Sequence, residues 1–242
     1  MAYAAFDWSA LDRTKLYDIL NSVRKHVVGR KLLIEDLHKI LANQIRKNLP
    51  VRVKLVRTAE QENGIIYIGG CYYGDEDEEF NNRYVEIVLS YFVWDQYLTI
   101  TQHRWRKICE VFADTVLHEI IHIRQYRTRE WKNIPGYYSS AQSANQRKSQ
   151  NYYGHPDEIG AYAFNIACEL YDRFSNNQSL SIKYLNSNQA VKHKNSTYLR
   201  YLKTFDMDHK HKVIKRLKKK VIYYLPYAKL GKPFKTSNYL TY

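Results

Sequence analysis

The chain of 242 residues is poor in cysteine. Its three cysteines, Cys71, Cys109 and Cys168, are widely spaced, odd in number and without any CxxC pair. This pattern excludes a disulfide framework and a zinc site built from cysteines, because both need paired or closely grouped thiols. We therefore expect a protein of a reducing compartment, such as the cytoplasm.

The chain also lacks a long apolar run. A transmembrane helix needs roughly 18 to 20 consecutive apolar residues, and no segment approaches that length. The opening residues, MAYAAFDWSALDRTK, lack the basic segment and apolar stretch of a secretory signal. Hydrophobic residues at 45% and charged residues at 26% exclude a disordered or collagen-like chain. We expect one globular core, or one core with an appendage, no export and no membrane-spanning helix, and we do not expect a membrane as the main partner.

Acidic residues are scarce at one end of the chain. The formal net charge is +14, and residues 191–242 hold fourteen Lys and Arg against two Asp and no Glu. This last fifth therefore carries +12 of the total, while the preceding residues are almost neutral. Charge concentrated in this way bears on binding partners more than on fold.

A basic amphipathic helix is predicted within this segment. Five apolar side chains recur at helical spacing and predict a helix from Lys210 to Tyr224 that ends before Pro226. Its cations are suited to nucleic-acid phosphates, and interleaved tyrosines such as Tyr223 are suited to stacking on bases. A solvated surface, a protein contact and an anionic membrane surface are the alternatives. The candidate nucleic-acid-binding residues are Lys215, Arg216, Lys218, Lys219 and Lys220.

The rest of the sequence changes from helical to strand periodicity and back, which predicts an α+β fold. The polar stretch from Thr128 to Gly154 predicts a long loop, and the acidic run from Asp75 to Glu79 predicts a solvated hairpin tip, since it lacks the ligand and glycine spacing of a calcium loop. The predicted helices are Ser9 to Val28, Leu32 to Asn48, Gln102 to Arg127 and Pro156 to Phe174, and the predicted strands are Val51 to Arg57, Ile65 to Tyr73 and Tyr84 to Trp94.

The longest predicted helix carries an HExxH pattern. His118 and His122 are four residues apart, so both imidazoles lie on one face, one turn apart, where they can reach one zinc ion. Glu119 is rotated away from the pair and can take a proton from a water that the metal activates. The alternative is structural: two histidines in a core helix, hydrogen-bonded to carbonyls and tyrosines.

A catalytic zinc site usually has three protein ligands and one open position. We predict Glu158 as the third ligand, because it falls in the first turn of the next helix, with the small Ala161 one turn on where two helices must approach. His155 is the second candidate for this position. In a purely structural interpretation, Asp157 and Glu158 only complement the positive end of the helix.

The order of strands, HExxH helix and a following helix that opens with Glu resembles the zincin fold, specifically zinc metallopeptidases of the glutamate-ligand (gluzincin-like) type. The resemblance covers residues 51–174. The metzincin extension HExxHxxGxxH is absent, because Gln125 and Thr128 stand where its glycine and third histidine would be. Spartan-like DNA-repair proteases share HExxH and basic character, but the chain has no cysteine zinc ribbon. Small phage-encoded proteins also show this general pattern, and a phage protein would be found in the virion or in the cytoplasm.

The resemblance implies peptide-bond hydrolysis of a protein or peptide substrate. It implies that His118, His122 and Glu158 hold Zn²⁺ and that Glu119 is the catalytic general base. It also implies that substrate pairs with an exposed strand edge, for which the strand from Tyr84 to Trp94 is the best candidate. The tyrosines near Glu158 that are suited to stabilise an oxyanion are Tyr152, Tyr153 and Tyr162.

The expected architecture is therefore a zincin-like α+β fold with N-terminal helices, a small mostly antiparallel sheet, a buried HExxH helix and further helices. Residues 1–50 are expected to form a helical segment, residues 51–175 the metallopeptidase core and residues 176–242 a basic helical region. The competing hypothesis is a nucleic-acid-associated structural protein of a virus particle. In that case the zincin-like fold persists without proteolytic turnover.

Overall fold

The structure, a computed structural model, describes residues 7–59, 64–73, 84–130, 132–194 and 196–228. They form an α+β structure in which helices predominate over small mixed sheets. The predicted acidic hairpin tip lies outside the described residues. Two compact units are present, one that extends to Ile123 and one that begins at Arg124. The division into three segments at residues 50 and 175 stays a prediction.

The first unit opens with two short helices in place of the single helix predicted from Ser9 to Val28, so that prediction was wrong. Helix α1 spans Arg13–Asn21 and α2 spans Arg24–Val27. The backbone of Asp12 is extended, and its carboxylate accepts a hydrogen bond of 2.8 Å from the Lys15 amide. A short polar side chain in this position caps the start of a helix, which explains why α1 begins after Asp12 and not at Ser9.

The second predicted helix begins later than expected. Helix α3 spans Ile34–Asn48, and the residues before it, Lys31–Leu33, form strand β1. This strand pairs antiparallel with β5, Tyr97–Thr99, in a two-stranded sheet. Strands β1 and β5 are far apart in sequence. The local periodicity of the sequence therefore could not predict their pairing.

The main sheet contains three strands. Strand β2 spans Val51–Thr58, β3 spans Ile66–Tyr73 and β4 spans Tyr84–Phe92, in the order β2-β4-β3. Strand β4 pairs parallel with β2 and antiparallel with β3, so the sheet is mixed. Alternate side chains of β4 are buried, as expected of a strand with one face on the core: Val85, Ile87, Leu89 and Tyr91.

The central position of β4 corrects one expectation. Both edges of β4 are hydrogen-bonded to neighbouring strands, so the segment from Tyr84 to Trp94 does not offer a free edge to a substrate. The prediction of a substrate-pairing strand there was wrong. Among the described residues, the outer edge of β3 has no strand partner. The sequence could not order the strands, because strand order depends on pairings between distant segments.

The HExxH helix is the central element of the fold. Helix α4 spans Gln102–Thr128, within one residue of its predicted bounds, and thirteen of its residues are buried. Its first turn is fixed by Trp105, whose indole N–H donates to the Asn21 side chain at 3.0 Å.

The second unit contains a helix where a long loop was predicted. Helix α5 spans Ala144–Gly154, so the loop prediction was wrong for the second half of its range. Its sequence is polar because most of its residues are exposed, and a polar helix shows no apolar period. Helix α6 spans Pro156–Phe174, as predicted, with proline in its first turn.

Three further helices complete the second unit: α7, Gln178–Leu185; α8, Thr197–Thr204; and α9, Lys212–Ala228. Helix α9 packs against α6. It continues through Pro226, so the end predicted before this proline was wrong. Pro226 lies in the last turn, where it removes one hydrogen bond to the carbonyl of Ile222, a residue that is 41% exposed.

None of the described helices combines the length and the apolar character needed to cross a bilayer.

Candidate metal centre

Two imidazoles lie side by side on the buried part of α4. His118 and His122 are 6% and 8% exposed, and their ring centroids are 4.9 Å apart with the ring planes at 74°. The four-residue spacing of the sequence produces this geometry, because residues one turn apart share a face of the helix. Buried imidazoles require polar partners, so this stretch of α4 is unusual for a core helix.

Glu158 completes a group of three metal-ligating side chains. One ligand atom of each of His118, His122 and Glu158 lies within 4.8 Å of the others. A tetrahedral zinc ion with ordinary bond lengths separates its ligand atoms by about 3.4 Å. Closure around one ion therefore needs movements of about 1 Å by side chains that can rotate. The donor set, two imidazoles and one carboxylate, is one that catalytic zinc uses, so the residues fit this metal.

The position of Glu158 follows from the way α6 begins. The Gln125 side chain donates to the backbone carbonyl of Asp157 at 2.9 Å, and Arg129 Nη1 lies 2.5 Å from Asp157 Oδ1. Both partners belong to the last turn of α4 and the residue that follows it. These two contacts fix the residue before Glu158, and Glu158 projects from the first turn of α6.

Gly160 permits this close approach. A Cβ atom at Gly160 would lie 2.4 Å from the Gln125 side-chain nitrogen, a distance that real contacts do not reach. Ala161, predicted as the small residue at the helix contact, is fully buried, but the tight contact is made by its neighbour. The sequence signal was a glycine within a helical pattern, which commonly has a packing reason.

His155, the second candidate for the third metal ligand, caps a helix. Its Nδ1 atom accepts a hydrogen bond of 3.3 Å from the Asp157 amide and so caps the start of α6. It is not part of the three-residue group that Glu158 joins. The choice of Glu158 over His155 as the third ligand stays a prediction, and the geometry favours it.

Glu119 lies against the sheet rather than within the ligand group. It is 4% exposed, and strand β3 passes close to it at Gly70. A Cβ atom at Gly70 would lie 2.8 Å from Glu119 Oε1 and 2.6 Å from Thr115 Cγ2. A side chain at this position would have to displace Glu119, Thr115 or the strand, which explains why a strand interior carries glycine here.

A tyrosine cluster surrounds Glu158 in the second unit. The hydroxyl oxygens of Tyr152 and Tyr162 are 3.4 Å apart, and Tyr152 also hydrogen-bonds Glu158. Burial raises the pKa of both phenols, and the negative charge of Glu158 raises them further. The buried Tyr201 hydroxyl has no hydrogen-bond partner among the described residues, and its pKa is raised for the same two reasons. These phenols therefore stay protonated at neutral pH and remain able to donate hydrogen bonds.

The ring of Tyr153, the other tyrosine considered from the sequence, is 5.1 Å from that of Tyr201 and 5.5 Å from that of Tyr162. It also hydrogen-bonds Arg200. Tyr153 is therefore a packing member of the cluster, and Tyr152 is the tyrosine with a direct bond to Glu158.

A pocket lies beside β3 in the first unit. Its walls are apolar side chains of β3 and of the first half of α4, and its rim carries basic groups of α4. On α4, Val111, Thr115 and Glu119 follow one another at helical spacing, so Glu119 lies two turns beyond the pocket residue Val111 on the same side of the helix. The lining residues include Ile66, Ile68, Leu98, His103, Lys107 and Val111.

The five basic residues singled out in the sequence do not form one set. Lys215, Arg216, Lys219 and Lys220 are exposed on α9. Lys218 is half-buried, its ammonium donates to the Asn186 side chain at 3.2 Å, and burial lowers its pKa. Four of the five candidate nucleic-acid-binding residues are therefore exposed, and the fifth, Lys218, points toward the end of α7.

Replacing Asp157 by Asn is expected to destabilise the protein. The change removes the negative charge beside Arg129, and loss of one partner of a buried ion pair costs about 3 to 5 kcal/mol. We expect roughly 3 kcal/mol, the low end of that range, because the Arg129 side chain keeps 18% of its exposure. Urea denaturation measures the loss. The exposed Asp172→Asn change on the same helix is the control, and equal midpoints for the two variants would contradict the prediction.

Comparison of the chain with protein-family models, with curated proteins and with solved structures finds no match. The function is therefore inferred from the residues of the site and their geometry.

Proposed function

We propose that the protein is a zinc-dependent peptidase of the HExxH type. The observation that carries the proposal is the group formed by His118, His122 and Glu158, with Glu119 on the same helix as the two histidines. A metal-ligating trio alone is compatible with a structural ion. A buried carboxylate next to the histidines, on a helix that lies close to the outer strand β3 at Gly70, favours hydrolysis.

His118, His122 and Glu158 would hold the zinc ion as neutral imidazoles and a carboxylate. When bound, the ion would polarise the substrate carbonyl and lower the pKa of water toward about 7. Tyr152 supports the arrangement, because its hydrogen bond to Glu158 orients that carboxylate.

Glu119 would act as the general base and then as the general acid. Its carboxylate takes the proton of the attacking water and passes it to the departing amine, so the residue ends the cycle ionised. The backbone of β3 at Gly70 lies close to the Glu119 side chain and limits the space in which this side chain can move. A base held in this way loses little entropy when it meets the water.

The outer edge of β3 is the surface that we propose for the substrate backbone. Its amide and carbonyl groups on that side have no strand partner among the described residues, and an extended peptide can pair with them. Gly70 brings this strand next to Glu119, and Ile66 and Ile68 lead along it into the apolar pocket. A substrate strand there would place an apolar side chain in the pocket.

Zinc binding and peptide hydrolysis together test the proposal. We expect the metal-stripped protein to take up about one zinc ion per chain and to cleave a mixed peptide library only after reloading. His122→Ala should lose both properties. His26→Ala, which changes an exposed histidine of α2 outside the pocket and the metal group, should keep both.

Two outcomes would count against the proposal. A folded protein that takes up no zinc would favour the structural alternative, in which the protein keeps this fold but does not cleave peptides. Equal zinc uptake by His122→Ala and the wild type would place the ion elsewhere in the chain. Circular dichroism of each variant separates these results from simple unfolding.

A further inference from the structure

The exposed face of α9 is a continuous basic surface. Lys215, Arg216, Lys219 and Lys220 occupy successive turns, and Lys212 precedes them on the same side. No acidic residue occurs anywhere on the helix. Like charges at i and i+4 repel each other along a helix. On this face no acidic side chain of α9 offsets that repulsion, as acidic residues usually do on solvated helices. A polyanion laid along it would supply the missing charge.

An aromatic side chain continues this surface. Tyr223 lies one turn after Lys219 and is 56% exposed. Its ring contacts Tyr224 and Tyr227 edge-on or tilted, with centroid distances of 5.1 and 5.8 Å. These two neighbours hold the exposed ring in place. An exposed ring in a fixed position beside cations is the arrangement on which single-stranded bases stack.

The buried face of α9 argues against a membrane. A membrane-surface helix inserts its apolar side into the lipid. In α9 that side is occupied, because Val213, Leu217 and Val221 are 3%, 0% and 0% exposed and the helix packs on α6. The ring of Tyr224 lies 5.6 Å from that of Phe164 on α6. Insertion would require the helix to leave its unit, whereas binding of phosphates needs no rearrangement.

We propose that this face, formed by Lys215, Arg216, Lys219, Lys220 and Tyr223, binds single-stranded nucleic acid. The four cations contact successive phosphates and Tyr223 stacks on a base. From Lys212 to Tyr223 the helix rises about 16 Å, which spans several nucleotides. Lys218 is outside the surface because its ammonium is bound to Asn186. The proposal is independent of the metal centre.

Fluorescence anisotropy of the full chain with a labelled oligothymidylate of about 20 nucleotides tests the surface. Contact with four phosphates of a single strand predicts an affinity loss of about 50-fold between 50 and 200 mM salt. Replacing all four cations by Gln should remove most of this salt dependence. Tyr223→Leu should weaken binding at least about 5-fold and leave the salt dependence unchanged.

Two controls separate a defined surface from general positive charge. Lys218→Gln changes the same residue type on the same helix and should leave the affinity unchanged. A second quadruple variant lowers the net charge equally through exposed lysines of the first unit, and it should bind as the wild type does. Its substitutions are to Gln at Lys15, Lys25, Lys47 and Lys54.

Several results would overturn the proposal. Equal losses of affinity in the two quadruple variants would show that binding depends only on the net charge of the protein. Competition by polyglutamate as effective as that by unlabelled oligonucleotide would identify an acidic-protein surface. Tight binding to phosphatidylserine vesicles without binding to the oligonucleotide would show that the partner of this surface is an anionic membrane. Thermal melting of each variant must match the wild type, and the single Lys219→Gln variant provides the same test if the quadruple variant does not fold.

Discussion

Glu119→Gln is expected to abolish peptide hydrolysis and to leave zinc binding intact. The substitution keeps the size of the side chain and removes the group that accepts the proton, and general acid–base catalysis of this kind contributes about 10²- to 10⁴-fold to a rate. Glu119 is outside the group of three ligand-capable atoms, so its loss removes no metal ligand. Single-turnover cleavage of a peptide and zinc content measured on the same sample check both halves of the prediction.

The matched control is Glu110→Gln, on the same helix. Glu110 pairs with Lys107 at 2.6 Å near the surface, away from the histidines, and its replacement should change neither property. Zinc loss in Glu119→Gln would show that the carboxylate supports the metal or the local fold. Full activity with zinc bound would show that another group accepts the proton, and the HExxH pattern would then be structural.

The elements that carry the candidate centre were predictable because their signals are local. Helix α4 has a broad apolar stripe over about five turns, and α6 begins with proline in its first turn. The histidine spacing then fixes two imidazoles on one face without any knowledge of tertiary structure. The nearness of Glu158 to the two histidines was predictable in part, because Glu158 stands in the first turn of the next predicted helix.

The features that were missed depend on contacts between distant segments. No local pattern shows that β4 is central and β3 is at the edge, because strand order follows from pairing of segments joined by long connections. The contacts of Gln125 and Arg129 with Asp157 likewise join residues about thirty positions apart. In the sequence Gln125 marks only a departure from the metzincin pattern, whereas in the structure its side chain connects the start of α6 to the end of α4.

Gly70→Ala is expected to remove most of the hydrolytic activity while zinc remains bound. The new methyl group would lie 2.8 Å from Glu119 Oε1 and 2.6 Å from Thr115 Cγ2. Either the carboxylate or the strand must move, and a displacement of about 1 Å at a catalytic group costs about 10²-fold in rate. The three atoms nearest to this methyl position belong to Thr115 and Glu119 and not to the histidines, so we expect the zinc content to match that of the wild type.

Gly69→Ala is a closely matched control, because it introduces the same methyl group one residue earlier on the other face of the strand. No heavy atom lies within 4 Å of a Cβ at that position. Both variants change backbone entropy and strand propensity alike, so any difference between them comes from the contact with α4. Equal rates for the two variants would mean that Glu119 does not depend on its position against β3. If Gly70→Ala lost activity and zinc together, the strand would be a support of the metal centre as a whole.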